Sequence, residues 1–339
     1  MPRDLRRFEL ELFTLPSQID FLREHQPLKS ILTELLICPV CLPGEHGLKL
    51  KSDETVADDI IRGDLTCDCC GRSFPIRDGL ADLDPGREAR SRTASKYETP
   101  LVLSSYLWSH FAGILKDSQA SGAYVEWAGL MASHDGLALD VGSAVGRFAF
   151  EMAQKCDFVI GLDNSVTFIR TARELMQQRR KRLCLPDEGH LTLDMDLVLP
   201  ETWRTSNMEF IVADAQALPF RCNQFASVAS LNMVDKLPRP LAHLQESNRV
   251  AKDHDARFLL SDPFSWSGEV AAEENWLGGL GKGPFAGHGL ENTMTLLADE
   301  KGLLGPRWTI EQQGHVWWKI RTHSNHFELI RSRYVKAVR

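Results

Sequence analysis

The segment Leu137-Ala138-Leu139-Asp140-Val141-Gly142-Ser143-Ala144-Val145-Gly146-Arg147 constrains this chain more than any other. A short apolar run of this kind reads as a buried parallel strand, and it breaks at a glycine-spaced turn. Gly142 and Gly146 let the backbone turn sharply and approach a ligand where a Cβ would collide. Residues 147–154 then read as a helix whose first N–H groups point back at that ligand. A second apolar run, Phe158-Val159-Ile160-Gly161-Leu162, ends on Asp163, 23 residues after Asp140. An acid at the tip of the second strand is placed to accept both hydroxyls of a ribose, since open α/β sheets bind nucleotides at the carboxyl ends of their strands.

Three nucleotide motifs compete for this turn. The dinucleotide fingerprint requires Gly-x-Gly-x-x-Gly, and Gly142-Ser143-Ala144-Val145-Gly146 is one residue short. A P-loop requires Gly-Lys-Ser/Thr, and none follows. An acid before Gly-x-Ala-x-Gly resembles motif I of the class I S-adenosylmethionine (SAM) methyltransferases. The rest of the chain is similar to that family in order. Phe210-Ile211-Val212-Ala213-Asp214-Ala215 is a third run ending in an acid, with Leu218-Pro219-Phe220 behind it. Phe225 to Leu231 leads into Asn232, and Ala256 to Pro263 gives a fifth strand. The resemblance implies an α/β fold with a Rossmann-like seven-stranded sheet. It also implies SAM binding by Asp140, Gly142, Ser143, Gly146, Asp163, Asn164, Asp214, Ala215 and Asn232, with the glycine turn passing the amino-acid end of SAM and Asp214 or its neighbour facing the adenine amine.

Length and composition leave room for a second module. At 339 residues the chain holds one large α/β domain and a smaller one. No run of about 18 apolar residues appears, and Met1-Pro2-Arg3-Asp4 opens no signal peptide, so the expected location is cytoplasmic, with no membrane. A net charge of −7 argues against a surface that tracks phosphate. The basic run Arg179-Arg180-Lys181-Arg182 reads as a solvated helix end.

Eight cysteines in such a chain point to metal before disulfides, and five of them lie between residues 38 and 70. Cys38-Pro39-Val40-Cys41 and Cys67-Asp68-Cys69-Cys70 form two Cys-x-x-Cys knuckles with 25 residues between them. Cys38, Cys41, Cys67 and Cys70 supply the tetrahedral sulfur cage of a structural zinc, leaving Cys69 outside. Such a site has no open coordination position, so its role is stability and docking. Cys70-Gly71-Arg72-Ser73-Phe74-Pro75-Ile76-Arg77-Asp78-Gly79 resembles the second knuckle of Trm112-like domains over roughly residues 30–85. That family accompanies SAM methyltransferases, which implies a protein partner for the zinc ribbon.

The organisation expected is an amino-terminal helix (1–30, with Leu10, Leu12, Phe13 and Leu15 amphipathic among charges), a zinc ribbon (31–85), a charged linker (86–96) and a methyltransferase domain (97–339). Residues 97–127 form a helical, aromatic stretch before the first strand, and such helices often cap the SAM and substrate pocket. Tyr106 and Trp108 in it, together with Arg147, are the candidate substrate contacts, although packing onto the sheet is the commoner role for such aromatics.

Several strings outside the SAM motifs resemble the methyltransferase domain of ovothiol synthases, which methylates a ring nitrogen of a thiolated histidine. They include Ala144-Val145-Gly146-Arg147, Asp187-Glu188-Gly189-His190-Leu191, Asn232-Met233-Val234-Asp235-Lys236-Leu237 and Trp276-Leu277-Gly278-Gly279, in matching order over residues 137–339. Ser143 stands where that family carries Cys, Phe148-Ala149 replace two serines, Asp163-Asn164-Ser165-Val166-Thr167 replaces Asp-Phe-Ser-Ala-Arg, and the zinc module has no counterpart there. The resemblance implies a small-molecule acceptor: an imidazole nitrogen, or the sulfur or selenium of a thiohistidine-like compound.

Methyl transfer from a sulfonium is an in-line displacement, so alignment supplies most of the acceleration. A base is needed only when the acceptor carries a proton. Asp235, just past the fourth strand, is the polar candidate to orient the acceptor, and its other reading is a helix cap. His323 and His326, at the turn of the last strands, read as surface or structural residues. Trp317 and Trp318 fall on opposite faces of one strand, one in the core and one at the pocket wall. Two further readings stand beside this one. An rRNA or tRNA base methyltransferase with the ribbon on RNA would carry a basic face and salt-sensitive affinity. A non-catalytic SAM-fold partner subunit conflicts with the intact motif I and with Asp163 and Asp214.

Overall fold

The computed structural model describes residues 28–56, 59–87, 95–299 and 302–339. The expected helix of residues 1–30, with its apolar residues 10–15, lies outside them up to residue 27, as does most of the 86–96 segment. Leu28 pairs with Ile60, and a one-turn helix, α1 (Ile31–Leu35), leads into the first cysteine knuckle. Four antiparallel strands follow: β1 (Leu48–Val56), β2 (Asp59–Cys67), β3 (Ser73–Arg77) and β4 (Leu80–Ala81). β2 is the core strand of this module, because Ile61, Gly63, Leu65 and Cys67 alternate inward, as a half-buried strand requires.

The helical stretch before the sheet is two helices, α2 (Pro100–Phe111) and α3 (Ala123–Leu130), broken at residues 112–122. Thr99 caps α2 through the Val102 N–H, and Pro100 occupies the first turn, where no donor is missed. The main sheet then begins with β5 (Leu137–Val141), α4 (Arg147–Met152), β6 (Phe158–Asp163) and α5 (Val166–Gln178). A hairpin, β7 (Arg180–Pro186) and β8 (Thr192–Val198), precedes β9 (Met208–Val212), β10 (Phe225–Leu231), α6 (Pro240–Val250), β11 (Arg257–Asp262), α7 (Gly289–Ala298), β12 (Thr309–His323) and β13 (His326–Val338).

The sheet order is β12-β13-β11-β10-β5-β6-β9, parallel from β11 to β9, with β13 running against β11 and β12. The order reverses beside β5, so the β5–β10 boundary opens a crevice at the strands' carboxyl ends. Alternation divides the core. Leu139, Val141, Ile160 and Leu162 face one side with α6, α7 and the amino-terminal module. Ala138 and Val159 face the other with α2, α3, α4 and α5.

The seven-stranded α/β sheet is therefore the one expected, with local differences. β9 ends at Val212, so residues 213–215 form the turn after it rather than its tip. Arg179 closes α5 in the left-handed region, but Arg180, Lys181 and Arg182 open β7, because Leu183 and Leu185 are buried on either side of exposed Cys184. Trp317 is 46% exposed, and it is Trp318 that is buried.

The amino-terminal module is docked on the sheet rather than tethered to it. Asp82 bridges Val212 at the edge strand β9, and the Leu83 N–H donates to the Val212 carbonyl at 2.8 Å. Leu36 bridges Phe220, and the Ile37 N–H donates to the Pro219 carbonyl at 3.0 Å. Arg173 of α5 and Glu209 of β9 form a fully buried ion pair, and the second Glu209 oxygen accepts the Lys29 N–H at 3.0 Å. Among the described residues no helix is long and apolar enough to cross a membrane.

Candidate active site

Sharp turns at the carboxyl edge need residues that tolerate left-handed backbone. Gly142 has φ +77°, and a Cβ there would lie 2.2 Å from Met233 Sδ. Gly146 has φ +86°, and a Cβ would strike the Phe210 ring at 2.5 Å. Both glycines thus answer to close packing as well as to turn geometry. The turn is tied down by Asp140, a buried carboxylate that accepts the Ala149 N–H of α4 at 3.1 Å and is pushed up to about 7 by burial.

The crevice holds a cleft that, with the open solvent at its mouth, spans about 760 Å³. Gly142, Ala144, Asp163, Asn164, Asp214, Ala215 and Asn232 line it from the strand ends. Asp163 Oδ2 accepts the Ala144 N–H at 3.1 Å, and Oδ1 accepts the Ser165 N–H at 2.9 Å. Burial pushes this carboxyl up to about 6. Asp214 Oδ1 accepts the Gln216 N–H at 2.9 Å, and Asn232 Oδ1 accepts the Ser332 hydroxyl at 2.6 Å.

The opposite wall is aromatic. Tyr97, Tyr106, His110, Tyr124, Phe168 and Trp318 line it, from the turn before α2, from α2, α3 and α5, and from β12. Tyr106 packs on Phe168 with ring centroids 4.8 Å apart and meets Trp318 edge-on at 6.2 Å. The Tyr124 hydroxyl and His110 Nε2 are 2.6 Å apart. Burial, with Arg147 nearby, holds His110 well below the usual imidazole range, so the ring is neutral. His110 Nδ1 and Trp318 Nε1 are buried polar atoms with no partner among the described residues.

Seven of the expected site residues thus meet in one cleft: Gly142, Asp163, Asn164, Asp214, Ala215, Asn232 and Tyr106. Asp140, Ser143 and Gly146 stand behind its wall, Ser143 with a buried, unpartnered hydroxyl. Trp108 lies in the core, its indole N–H on Asp117 at 2.7 Å. Arg147 is buried on Glu151 at 2.5 Å and over the Trp203 ring. Asp235 is also outside the lining, with its side chain fully buried and Oδ2 accepting the Ser265 N–H at 2.7 Å. Trp108, Arg147 and Asp235 are therefore placed in packing and backbone support rather than at the cleft surface. His110, Tyr124 and Lys236, which do line the cleft, were missed as site residues. The one-turn spacing of Tyr106 and His110 on α2 was the available signal.

The four knuckle sulfurs, of Cys38, Cys41, Cys67 and Cys70, all lie within 4.8 Å of one another. Cys38–Cys70 and Cys41–Cys67 separations are 3.6 and 3.8 Å. Zinc–sulfur bonds of about 2.3 Å in a tetrahedron place sulfurs roughly 3.8 Å apart, so the cage fits a structural zinc. Cys69 is exposed and outside it.

Fold and site together define a class I SAM-dependent methyltransferase domain joined to a Trm112-like amino-terminal domain. Residues 139–255 match the model of the family described as methyltransferase domain, and residues 29–79 match the Trm112p-like protein family. The chain is an enzyme of the SAM-dependent methyltransferase class, with SAM as cofactor. No curated protein matches it. Among solved structures it is similar to a SAM-dependent methyltransferase of Methanosarcina mazei (19% identity, 60% of this chain and 92% of that one, TM-score 0.39). It is also similar to the magnesium protoporphyrin IX methyltransferase of Synechocystis PCC 6803 with bound SAM (16%, 76% and 92%, 0.37). A third is a chain from the complex of the Haloferax volcanii Trm112 methyltransferase activator with a methyltransferase (12%, 73% and 98%, 0.41). The ovothiol-synthase resemblance has no counterpart among these matches.

Proposed function

We propose that the chain methylates a small molecule, at an imidazole nitrogen or at the sulfur or selenium of a thiohistidine-like compound. The observation that carries this reading is the aromatic wall of Tyr97, Tyr106, Phe168 and Trp318, which faces the strand-end residues across one cleft. A wall of rings packs a small, flat, largely apolar acceptor and keeps bulk water from it.

In this reading SAM, when bound, supplies an electrophilic methyl on a sulfonium. Asp163 takes the ribose hydroxyls, Asn164 flanks it, Asp214 and Ala215 border the adenine, and the Gly142 turn with Asn232 borders the amino-acid end. Asp140, Ser143 and Gly146 shape that turn from behind. Tyr106 and Trp318, packed edge-on, form one side of the acceptor's pocket and exclude water, which aligns the nucleophile with the methyl. When Tyr124 donates to Nε2 of His110, Nδ1 carries the proton; in the other tautomer Nε2 carries it and donates to the Tyr124 oxygen.

The test is mass spectrometry of ligands that purify with the protein, followed by SAM turnover on imidazole, thiol and selenol acceptors such as 5-thiohistidine. Turnover on one of these is expected. Turnover on none of them, with submicromolar RNA binding that falls steeply with salt, would replace this reading by base methylation of RNA.

A further inference from the structure

Arg87 lies in the stretch between the two domains, yet its guanidinium reaches the cleft loop. Nε donates to Asp82 Oδ2 at 2.6 Å, and Nη2 donates to the main-chain carbonyl of Asn164 at 3.0 Å. Asp82 belongs to the amino-terminal module and is the residue that bridges Val212 at the sheet edge. One planar fork therefore spans the zinc module and the turn between β6 and α5.

The far side of that turn is held as well. Glu98 accepts the Val166 and Thr167 N–H groups, each at 3.0 Å, at the start of α5. Between these two holds lies the peptide unit joining Asn164 to Ser165. Its carbonyl is the Arg87 acceptor, and its N–H is the donor to Asp163 Oδ1 at 2.9 Å. A peptide is planar, so fixing the oxygen fixes the direction of the N–H.

We infer that Arg87 is a positioning residue for the SAM site, orienting the Asp163 carboxylate through the Asn164–Ser165 peptide and so tying cofactor affinity to the zinc module. The inference rests on the placement of SAM against Asp163 given above. Arg87 is outside the cleft lining and acts through main chain. It adds, from outside the turn, a fixed direction for the N–H donor that holds the Asp163 carboxylate in the orientation the ribose meets.

The test is calorimetric binding of S-adenosylhomocysteine to the full-length, zinc-loaded protein and its variants. Arg87→Met should weaken binding about fivefold, the weight of one ordinary hydrogen bond. Zinc content and melting temperature should stay at wild-type values, and Arg87→Lys, which keeps a donor, should recover most of the loss. The inference is overturned if Arg87→Met binds within about twofold of wild type while Asp163→Ala loses binding. It is overturned equally if both Arg87 variants lose affinity in step with zinc or melting temperature, since that marks general destabilisation. Unchanged binding in Asp163→Ala would instead remove the cofactor placement itself.

Discussion

Tyr124 and His110 come from different helices and meet at 2.6 Å inside the cleft wall, the phenol of α3 against the imidazole of α2. Their bond ties the two helices together over the sheet, and it leaves the second imidazole nitrogen buried with no partner among the described residues.

Tyr124→Phe should therefore cost about 1–3 kcal/mol of stability, because it strands a buried ring nitrogen. Chemical denaturation measures this directly. The imidazole is held below its ordinary range in the folded protein, so the unfolded chain binds the proton first as pH falls. The His110 contribution to stability is thus present above about pH 6.5 and is lost on acidification.

Asp163 titrates in the opposite sense. Its folded pKa is raised to about 6 by burial, so the ligand-free fold holds a proton that the unfolded chain has released. From this group alone, stability falls as pH rises from about 4 to about 6 and is level above that. Ribose hydroxyls donate best to the ionised carboxylate, so S-adenosylhomocysteine affinity should rise with pH through about 6 and then flatten. Calorimetry across this range checks the slope, and Asp163→Asn should abolish it.

The cysteine cage predicts one zinc per chain. Elemental analysis should show Cys67→Ser depleted and Cys69→Ser full, because Cys69 lies outside the sulfur cluster. Leu28, Leu32, Leu36 and Phe74 of this module share a buried cluster with Phe220 and Leu260 of the larger domain. Chelation should therefore lower the melting temperature of the whole chain, not of a separate unit, since zinc binding in such sites is coupled to folding.

Asp235 accepts the Ser265 N–H beneath the cleft and lies beside buried Asp262, whose carboxyl is raised by burial and by Asp235 itself. Asp235→Asn keeps an acceptor for Ser265 and gives up the ion pair with Lys236 Nζ at 3.1 Å. Turnover at saturating SAM should stay within about threefold of wild type, with stability lowered by no more than about 1 kcal/mol, the weight of a partly exposed ion pair. Asp235→Ala, which leaves the Ser265 donor unpaired, should cost about 1–3 kcal/mol.

The five parallel strands β5, β6, β9, β10 and β11 were legible because each is a short apolar run with a glycine, an acid or Asn232 at or just past its end, and period and punctuation are properties of the chain itself. The cage of Cys38, Cys41, Cys67 and Cys70 was legible for the same reason, since the knuckle spacing fixes its geometry. The aromatic wall was not. Tyr106 and Trp108 are two residues apart on α2, and only the packing of that helix on the sheet sends one to the cleft and the other to the core. Asp235 was misplaced for a related reason: a polar residue after a strand tip has the right address, but the Ser265 amide, brought by the next strand, turns it inward. The hairpin β7–β8 was hidden because its basic residues continue the charge pattern of α5.

The bridge between Asp82 and Val212 has a consequence for assembly. A docking partner carried on the same chain meets the sheet at an effective concentration set by the connecting segment, in the millimolar range for short connections, whatever the concentration of the protein. Complex formation is then first order: dilution cannot strip the zinc module from the methyltransferase sheet, no excess of one half can outrun the other, and each cleft is made with its own Arg87 at hand.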